Sequence, residues 1–367
     1  MAPDRGNSDT TGTLNLQAQY EALSIQEGAH PLIPSSQSPD SIPAHLSHDP
    51  ATNAKRTDPF EFGQRYLSES DDVFEYNAWD HVIPDENHYE YCESQYAAQR
   101  AAPVSEFDQA RFNQHPEKWW DLFYKQKTST FFKDRKWLVQ EFPILKAVTE
   151  NDAGERTVLE VGAGAGNTAF PILRMNENPD LKLFAVDFSK KAVETMRSAD
   201  EYAASQGVMQ ADVWDAAGED LPVGVEEGSV DIVIMIFIFS ALHPTQWQQA
   251  VANIHRVLKP GGEVLFRDYG RGDLAQVRFK AGRWMQDNFY VRGDGTRVYF
   301  FEKEELETIW GDGFDVVNLD VDRRLIVNRQ RRIKMYRCWI QGHFRKRDAK
   351  NQVTRTLSAD RQGQESS

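Results

Sequence analysis

The sequence holds only two cysteines, Cys92 and Cys338, in 367 residues. That is too few for a disulfide framework or a cysteine-rich zinc site, and it points to a reducing compartment, most simply the cytoplasm. No run of about 18 apolar residues occurs, which argues against a membrane-spanning helix. The first residues carry Asp4 and Asp9 and lack an apolar core, so neither a signal peptide nor a transit peptide is expected. No histidine cluster calls for a metal, and none is expected. Positive charge is also scarce: 42 Lys and Arg stand against 56 Asp and Glu, a net −14. A surface generally adhesive to nucleic acid is therefore excluded, but a local basic face is not.

One further absence separates two readings of the most structured stretch, Thr157–Asn167, TVLEVGAGAGN. Five residues of β character run into glycines at 162, 164 and 166, and an apolar, helix-like run starts at Ala169. Strand, glycine turn and helix form a cradle for a nucleotide-like ligand: the glycines admit a close backbone approach and the helix N-terminus offers unpaired N–H groups. A dinucleotide fingerprint would need glycine at 167, where Asn167 stands. The spacing present is E-x-G-x-G-x-G, led by Glu160, which resembles motif I of class I S-adenosylmethionine (SAM) methyltransferases.

The rest of the chain divides by composition. Residues 1–55, rich in Ser, Pro, Asp, Gln and Thr, are expected to be a disordered tail. Residues 56–150 form an aromatic and acidic N-terminal extension, residues 151–347 the central domain, and residues 348–367 a frayed polar tail. Within the extension, a helix is expected over Tyr89–Ala102 and another over 115–126, with Pro116 in its first turn. A third is expected over 131–143, ending at Pro143. Trp120 and Tyr124 share a helix face, which taken alone is ordinary core packing. From 157 onward strands and helices alternate. Strands are expected at 181–188, 208–214, 229–242 and 263–269, helices at 168–176, 189–205, 244–258 and 303–310, and two last strands at 314–322 and 333–344. That order makes an α/β fold, a doubly wound, mostly parallel sheet with an antiparallel strand at its end. Residues 270–300 read as less regular.

In open α/β sheets the ligand lies beyond the carboxyl ends of the strands, at the switch point. Gly162 and Gly164 follow the first strand there. Asp187 ends the second, where a carboxylate can receive both hydroxyls of a ribose. Asp212 ends the third, where it could accept an adenine amino group. Ile236 lies late in the fourth, where an apolar face would support a ring. Each has an ordinary alternative, since the two acids suit helix caps and Ile236 suits the core.

Several longer segments carry a more specific likeness. LEVGAGAGNTAFPIL, VDFSKKAVE, DIVIMIFIFSALHP, LKPGGEVLFRDYGRGDLAQVRFK, NFYVRGDGTRVYFF and VDRRLIVNRQ, with FGQRYL, NAWD, KWWDLFYK and FFKDRKWLVQEFP upstream, resemble the methyltransferase-like tRNA N3-methylcytidine methyltransferases over roughly 60–345. VDRRLIVNR and YVRGDGTRVYFF resemble the cytoplasmic branch that acts on threonine tRNA. The resemblance implies SAM as cofactor, contacts to it from Trp120, Tyr124, Gly162, Asp187, Asp212 and Ile236, and cytidine 32 of the anticodon loop as target. It replaces the packing reading of Trp120 and Tyr124 with that of a lid over the cofactor. Ala163 and Gly272 depart from the family pattern, where cysteine and an aromatic residue are usual.

For chemistry at a ring nitrogen that already carries a lone pair, no general base is required. Asp268, at the end of the fifth strand in FRDYG, is the candidate carboxylate to favour the developing positive charge, against an ion pair with Arg267 or Arg271. RNA contacts are expected from Lys133, Arg135 and Lys136, and from a run of ten cations, Arg323, Arg324, Arg329, Arg331, Arg332, Lys334, Arg337, Arg345, Lys346 and Arg347, that no Asp or Glu interrupts. The partner is thus the tRNA anticodon arm, with room for a helper protein and no membrane. Two other functions fit parts of the sequence: a class I methyltransferase of a small molecule or protein, and a non-catalytic SAM-binding activator.

Overall fold

A computed structural model describes residues 65–127, 131–135, 137–205 and 207–348. The tail expected over 1–55, that expected over 348–367 apart from Asp348, and Lys136 lie outside the described residues. Among the described residues, no helix is long and apolar enough to cross a membrane.

The extension contributes strand β1 (Ala78–Asp80) and helices α1 (Glu86–Ala101), α2 (Glu106–Gln114), α3 (Pro116–Lys127), α4 (Leu138–Glu141) and α5 (Ile144–Ala147). The central part follows as β2 (Arg156–Val161), α6 (Ala169–Met175), β3 (Leu181–Asp187), α7 (Lys190–Arg197), α8 (Asp200–Ala204), β4 (Met209–Val213), β5 (Val230–Ile236), α9 (Trp247–Val257) and β6 (Leu258–Tyr269). Then come α10 (Leu274–Val277), the short strands β7 (Trp284–Gln286), β8 (Phe289–Val291) and β9 (Arg297–Tyr299), α11 (Lys303–Gly311), β10 (Phe314–Asn328) and β11 (Ile333–Lys346).

The main sheet has eight strands in the order β1-β10-β11-β6-β5-β2-β3-β4. Its β6-β5-β2-β3-β4 part is parallel, and its β1-β10-β11-β6 part is antiparallel. Sequential order reverses between β2 and β5, which makes the crevice above those two strands the switch point. The parallel strands are apolar on both faces; β5, VDIVIMI, is almost wholly buried. One face packs against α9 and α11 through Trp247, Ile254 and Trp310, the other against α4–α7 through Leu138, Leu145, Phe170 and Met196.

Three features differ from the expected layout. Residues 131–135 are not helical: Arg135 N donates to Asn167 O at 2.9 Å, and Asn167 Nδ2 donates to Phe132 O at 3.1 Å. The segment exchanges helical hydrogen bonds for bonds to the glycine loop. The irregular stretch 270–300 contains a second sheet, β7-β8-β9, whose strands of three residues are too short to show a period. Finally, β1 joins the main sheet on β10, sealed by an ion pair at 3.1 Å between Asp80 and Arg324, both largely buried.

Candidate active site

The glycine loop is shaped by backbone demands. Gly162, Gly164 and Gly166 have φ of +71°, +60° and +89°, a region side chains enter only with strain. Neighbours close in on the space a Cβ would occupy. At Gly162 it would lie 2.7 Å from Ile238 Cγ1, and at Gly164 2.5 Å from the Tyr124 hydroxyl. Gly162 N and Ala163 N both donate to Val186 O, at 2.8 and 2.9 Å, which fastens the loop to the end of β3.

Asp187 stands where β3 ends. Its carboxylate accepts Gly164 N and Ser189 N, each at 2.8 Å. Burial pushes its pKa up to about 6, against the lowering by those two donors. Glu160, on the neighbouring strand β2, is 1 % exposed. Its Oε2 has no hydrogen-bond partner, and Arg135 lies 3.8 Å from its other oxygen. Burial raises Glu160 to about 7. An unsatisfied buried carboxylate oxygen beside a cradle of glycines fits a ligand that brings a positive group and a sugar, as SAM does.

Helix α3 closes this cradle. Tyr124 is buried over Gly164, within electrostatic reach of Asp187, Arg135 and Glu160, and burial holds its hydroxyl far above the usual range. Trp120 is half-buried, with its ring 6.3 Å from that of Tyr124. Asp121 pins the helix to α7 by accepting Ser189 Oγ at 2.6 Å and Lys191 N at 3.1 Å.

Two expected contacts take a different form. The Asp212 carboxylate is engaged by Arg197 and by Gln210 Nε2, the latter at 2.7 Å, so an amino group placed there has to displace one of them. Ile236 is 2 % exposed and sits within the core that surrounds Leu138 and Val158. The apolar side chains that flank the loop are its successors, Phe237 and Ile238. Phe237 has φ of +58°, unusual for a bulky residue and a mark of strain at a functional turn. Its ring lies 4.9 Å from that of Tyr269. No sequence signal foretold this strained turn, since it depends on what β6 presents: Phe237 N donates to Arg267 O at 2.8 Å.

Asp268 lies directly behind the turn and is fully buried. It accepts Ser240 N at 2.9 Å and Tyr269 N at 2.8 Å. Burial raises it to about 6, so it remains mostly ionised at neutral pH. The ion-pair alternative does not hold among the described contacts: Arg267 bonds Asp322 and Gln341, and Arg271 bonds Glu93 and Glu302.

The cationic run divides in two. Arg324 pairs with Asp80, Arg337 with Asp273 at 2.8 Å, Arg345 with Glu263 and Arg347 with Asp315, while Lys346 donates to the carbonyls of His255 and Leu258. These bind the sheet together, and for Arg324 and Arg337, both largely buried, this corrects the expected RNA contact. Arg135, whose side chain is 10 % exposed, likewise belongs to the cradle, where it donates to Thr168 Oγ1 at 2.9 Å. Arg345 stays exposed beside Glu263; the other exposed cations of these groups stand at Lys133 and around the β10–β11 turn, at Arg329, Arg331, Arg332 and Lys334, beside half-buried Arg323. Register carries that turn well past the carboxyl end of β6. Trp339 pairs with Tyr269 at the carboxyl end of β6, yet β11 begins six residues earlier, at Ile333. The turn thus projects about 20 Å beyond the edge on which the cradle lies. Exposed Arg278, next to the second sheet, reaches Met335 Sδ at 3.6 Å and widens this basic ridge. Among the described residues no cluster of metal-ligating side chains occurs.

A family model for a methyltransferase domain matches residues 158–262. The tRNA(Thr) (cytosine(32)-N(3))-methyltransferase of Saccharomyces cerevisiae is 52% identical over 289 residues, a match covering 78% of this chain and 46% of that protein, so the chain spans about half its length. The tRNA N(3)-methylcytidine methyltransferase trm140 of Schizosaccharomyces pombe is 50% identical, covering 78% of this chain and 92% of that one. The tRNA N(3)-methylcytidine methyltransferase Mettl2 of Drosophila melanogaster is 45% identical, covering 80% and 90%. With a glycine cradle at the switch point of a class I sheet and relatives this similar over most of their length, the chain belongs to the family of SAM-dependent tRNA N3-methylcytidine methyltransferases.

Proposed function

We propose that this chain methylates N3 of cytidine 32 in the anticodon loop of threonine tRNA. The observation that carries the reading is the position of the β10–β11 turn: its arginines stand past the same sheet edge that holds the glycine cradle. Phosphates gripped by that ridge would bring a loop base to the switch point, where Phe237 and Tyr269 offer aromatic faces.

When bound, SAM supplies an electrophilic methyl on a sulfonium. Gly162, Gly164 and Asp187 would hold its nucleoside and Glu160 its positive end, with Tyr124 and Trp120 closing over it. Asp212 would meet the adenine at the rim. N3 of cytosine carries an in-plane lone pair, so the residues have no proton to remove from it; their task is alignment. N3 lies on the pairing edge, so the base must be unpaired or flipped. Asp268 is fully buried and accepts Ser240 N and Tyr269 N, so this residue acts by fixing the turn, and its charge favours the cation that forms on the ring. The proposed compartment is the cytoplasm, a reading supported by two cysteines that are both free and buried.

The test is incubation of the purified chain and SAM with threonine tRNA, followed by mass-spectrometric mapping. N3-methylcytidine at position 32 is expected. Methyl transfer only to small molecules or proteins, or to another nucleotide, overturns the proposal. Turnover that appears only when cell extract is added assigns a helper protein.

A further inference from the structure

We infer that Trp119 is a positioning residue which couples closure over the cofactor to the shape of the base-facing site; the inference rests on tRNA being the second ligand. Helix α3 is seated in two glycine sockets rather than one. Tyr124 fills the space above Gly164, as described. Five residues earlier, and so about 140° around the helix, Trp119 fills the space above Gly295 in the β8–β9 turn. A Cβ at Gly295 would lie 2.5 Å from Trp119 Cδ2 and 2.8 Å from Cζ3, with Cε3 closer still. Gly295 is buried and has φ of +89°. An indole is rigid, so helix and turn fit only if residue 295 has no side chain. The ring is backed by Phe112, at 5.1 Å, and by the Arg111 guanidinium, at 5.7 Å.

The turn leads to the target side of the crevice. Gly295 N donates to Arg292 O at 3.1 Å, and Arg292 NH1 donates to Arg297 O at 3.1 Å. The Arg292 guanidinium lies 5.6 Å from the centre of the Tyr269 ring, the ring that faces Phe237. Arg297 in turn joins Asn113 Oδ1, at 2.9 Å, to Ala241 O in the segment after β5, at 3.3 Å. A shift of α3 off Gly164 therefore also withdraws the indole from the turn that places Arg292. Seated and unseated α3 are the two states that both ligands bias. Linkage then requires that each ligand tighten the other by one and the same factor.

The experiment measures the Kd of tRNA with and without S-adenosylhomocysteine, and the Kd of S-adenosylhomocysteine with and without tRNA. In the wild type each should strengthen the other by about 5-fold or more, symmetrically. Trp119→Ala should bring that factor to about 1 while each separate Kd stays within roughly 3-fold, and Trp119→Phe should retain most of it. If the alanine variant melts early, Gly295→Ala tests the same contact from the other side, because its methyl displaces the indole. A factor near 1 in the wild type, or an unchanged factor in either folded variant, overturns the inference. Failure of the wild type to bind tRNA at all removes the functional reading and this inference together, whereas tRNA binding without coupling removes this inference alone.

Discussion

The β2–β3 half of the sheet and the β10–β11 half treat charge in opposite ways. Around the glycine loop, Glu160 and Asp187 are carboxylates drawn into the protein and pushed up by burial; Asp187 is held by two backbone N–H groups, while one Glu160 oxygen lacks a partner. Across β10 and β11, cations dominate the sequence, but the fold divides them between internal pairs and one projecting turn. The first half holds buried charge poised for a ligand. The second uses part of its charge as fasteners and leaves the rest in solvent, where it can track phosphates. A charge's role is thus read from its partner and its depth, not from its neighbours in sequence.

Substitutions can break that contrast. The largest effect is expected from Arg337→Gln, which leaves Asp273 buried without its charged partner; stability should fall by about 3–5 kcal/mol. Chemical denaturation measures it, and a variant as stable as the wild type would mean that the internal pairs are not fasteners. Next is Asp187→Ala. It removes the anchor of Gly164 N and the proposed acceptor for two ligand hydroxyls, so SAM affinity should drop by about 2–4 kcal/mol, or ~30–1000-fold, in a folded protein. Titration calorimetry showing near wild-type affinity would remove Asp187 from the site.

Glu160→Gln sharpens the comparison through pH. The folded Glu160 titrates near 7, above its ordinary 4.5, so between those values the folded state keeps a proton that the unfolded chain releases. Wild-type stability contributed by this group is complete at lower pH and is lost as pH rises through that window. Relative to wild type, the glutamine variant should gain up to about 3 kcal/mol between pH 4.5 and 7.5. Parallel stability curves would mean that Glu160 is not held protonated. The smallest effect is expected from Arg331→Glu with Arg332→Glu. Melting temperature should fall only slightly, through loss of the Arg332 guanidinium that stacks 4.0 Å from the centre of the Phe74 ring, and SAM affinity should not move, while each lost phosphate contact lowers the log–log salt slope of tRNA binding by roughly 0.7–0.9. Filter binding across a salt series checks this, and an unchanged slope moves the tRNA site elsewhere.

What the sequence determined by itself is local. Gly162, Gly164 and Gly166 announce a turn because a chain without Cβ atoms is needed there, and the alternation of apolar strands and helices announces the parallel sheet. Asp187 was legible because its place, at the end of the strand after the loop, follows from that order. Tertiary structure decided everything that depends on a partner distant in the chain. Nothing within residues 323–347 distinguishes Arg337 from Arg331; only Asp273, more than sixty residues away, buries the first and leaves the second exposed. Ile236 and Phe237 are adjacent, yet the bond from Phe237 N to β6 turns one into the core and holds the other in a strained conformation at the crevice. The seat of Trp119 on Gly295 joins residues that no local period relates. Backbone geometry is encoded by nearest neighbours, whereas burial and ion pairing follow from which strands meet, and that is settled only when the sheet closes.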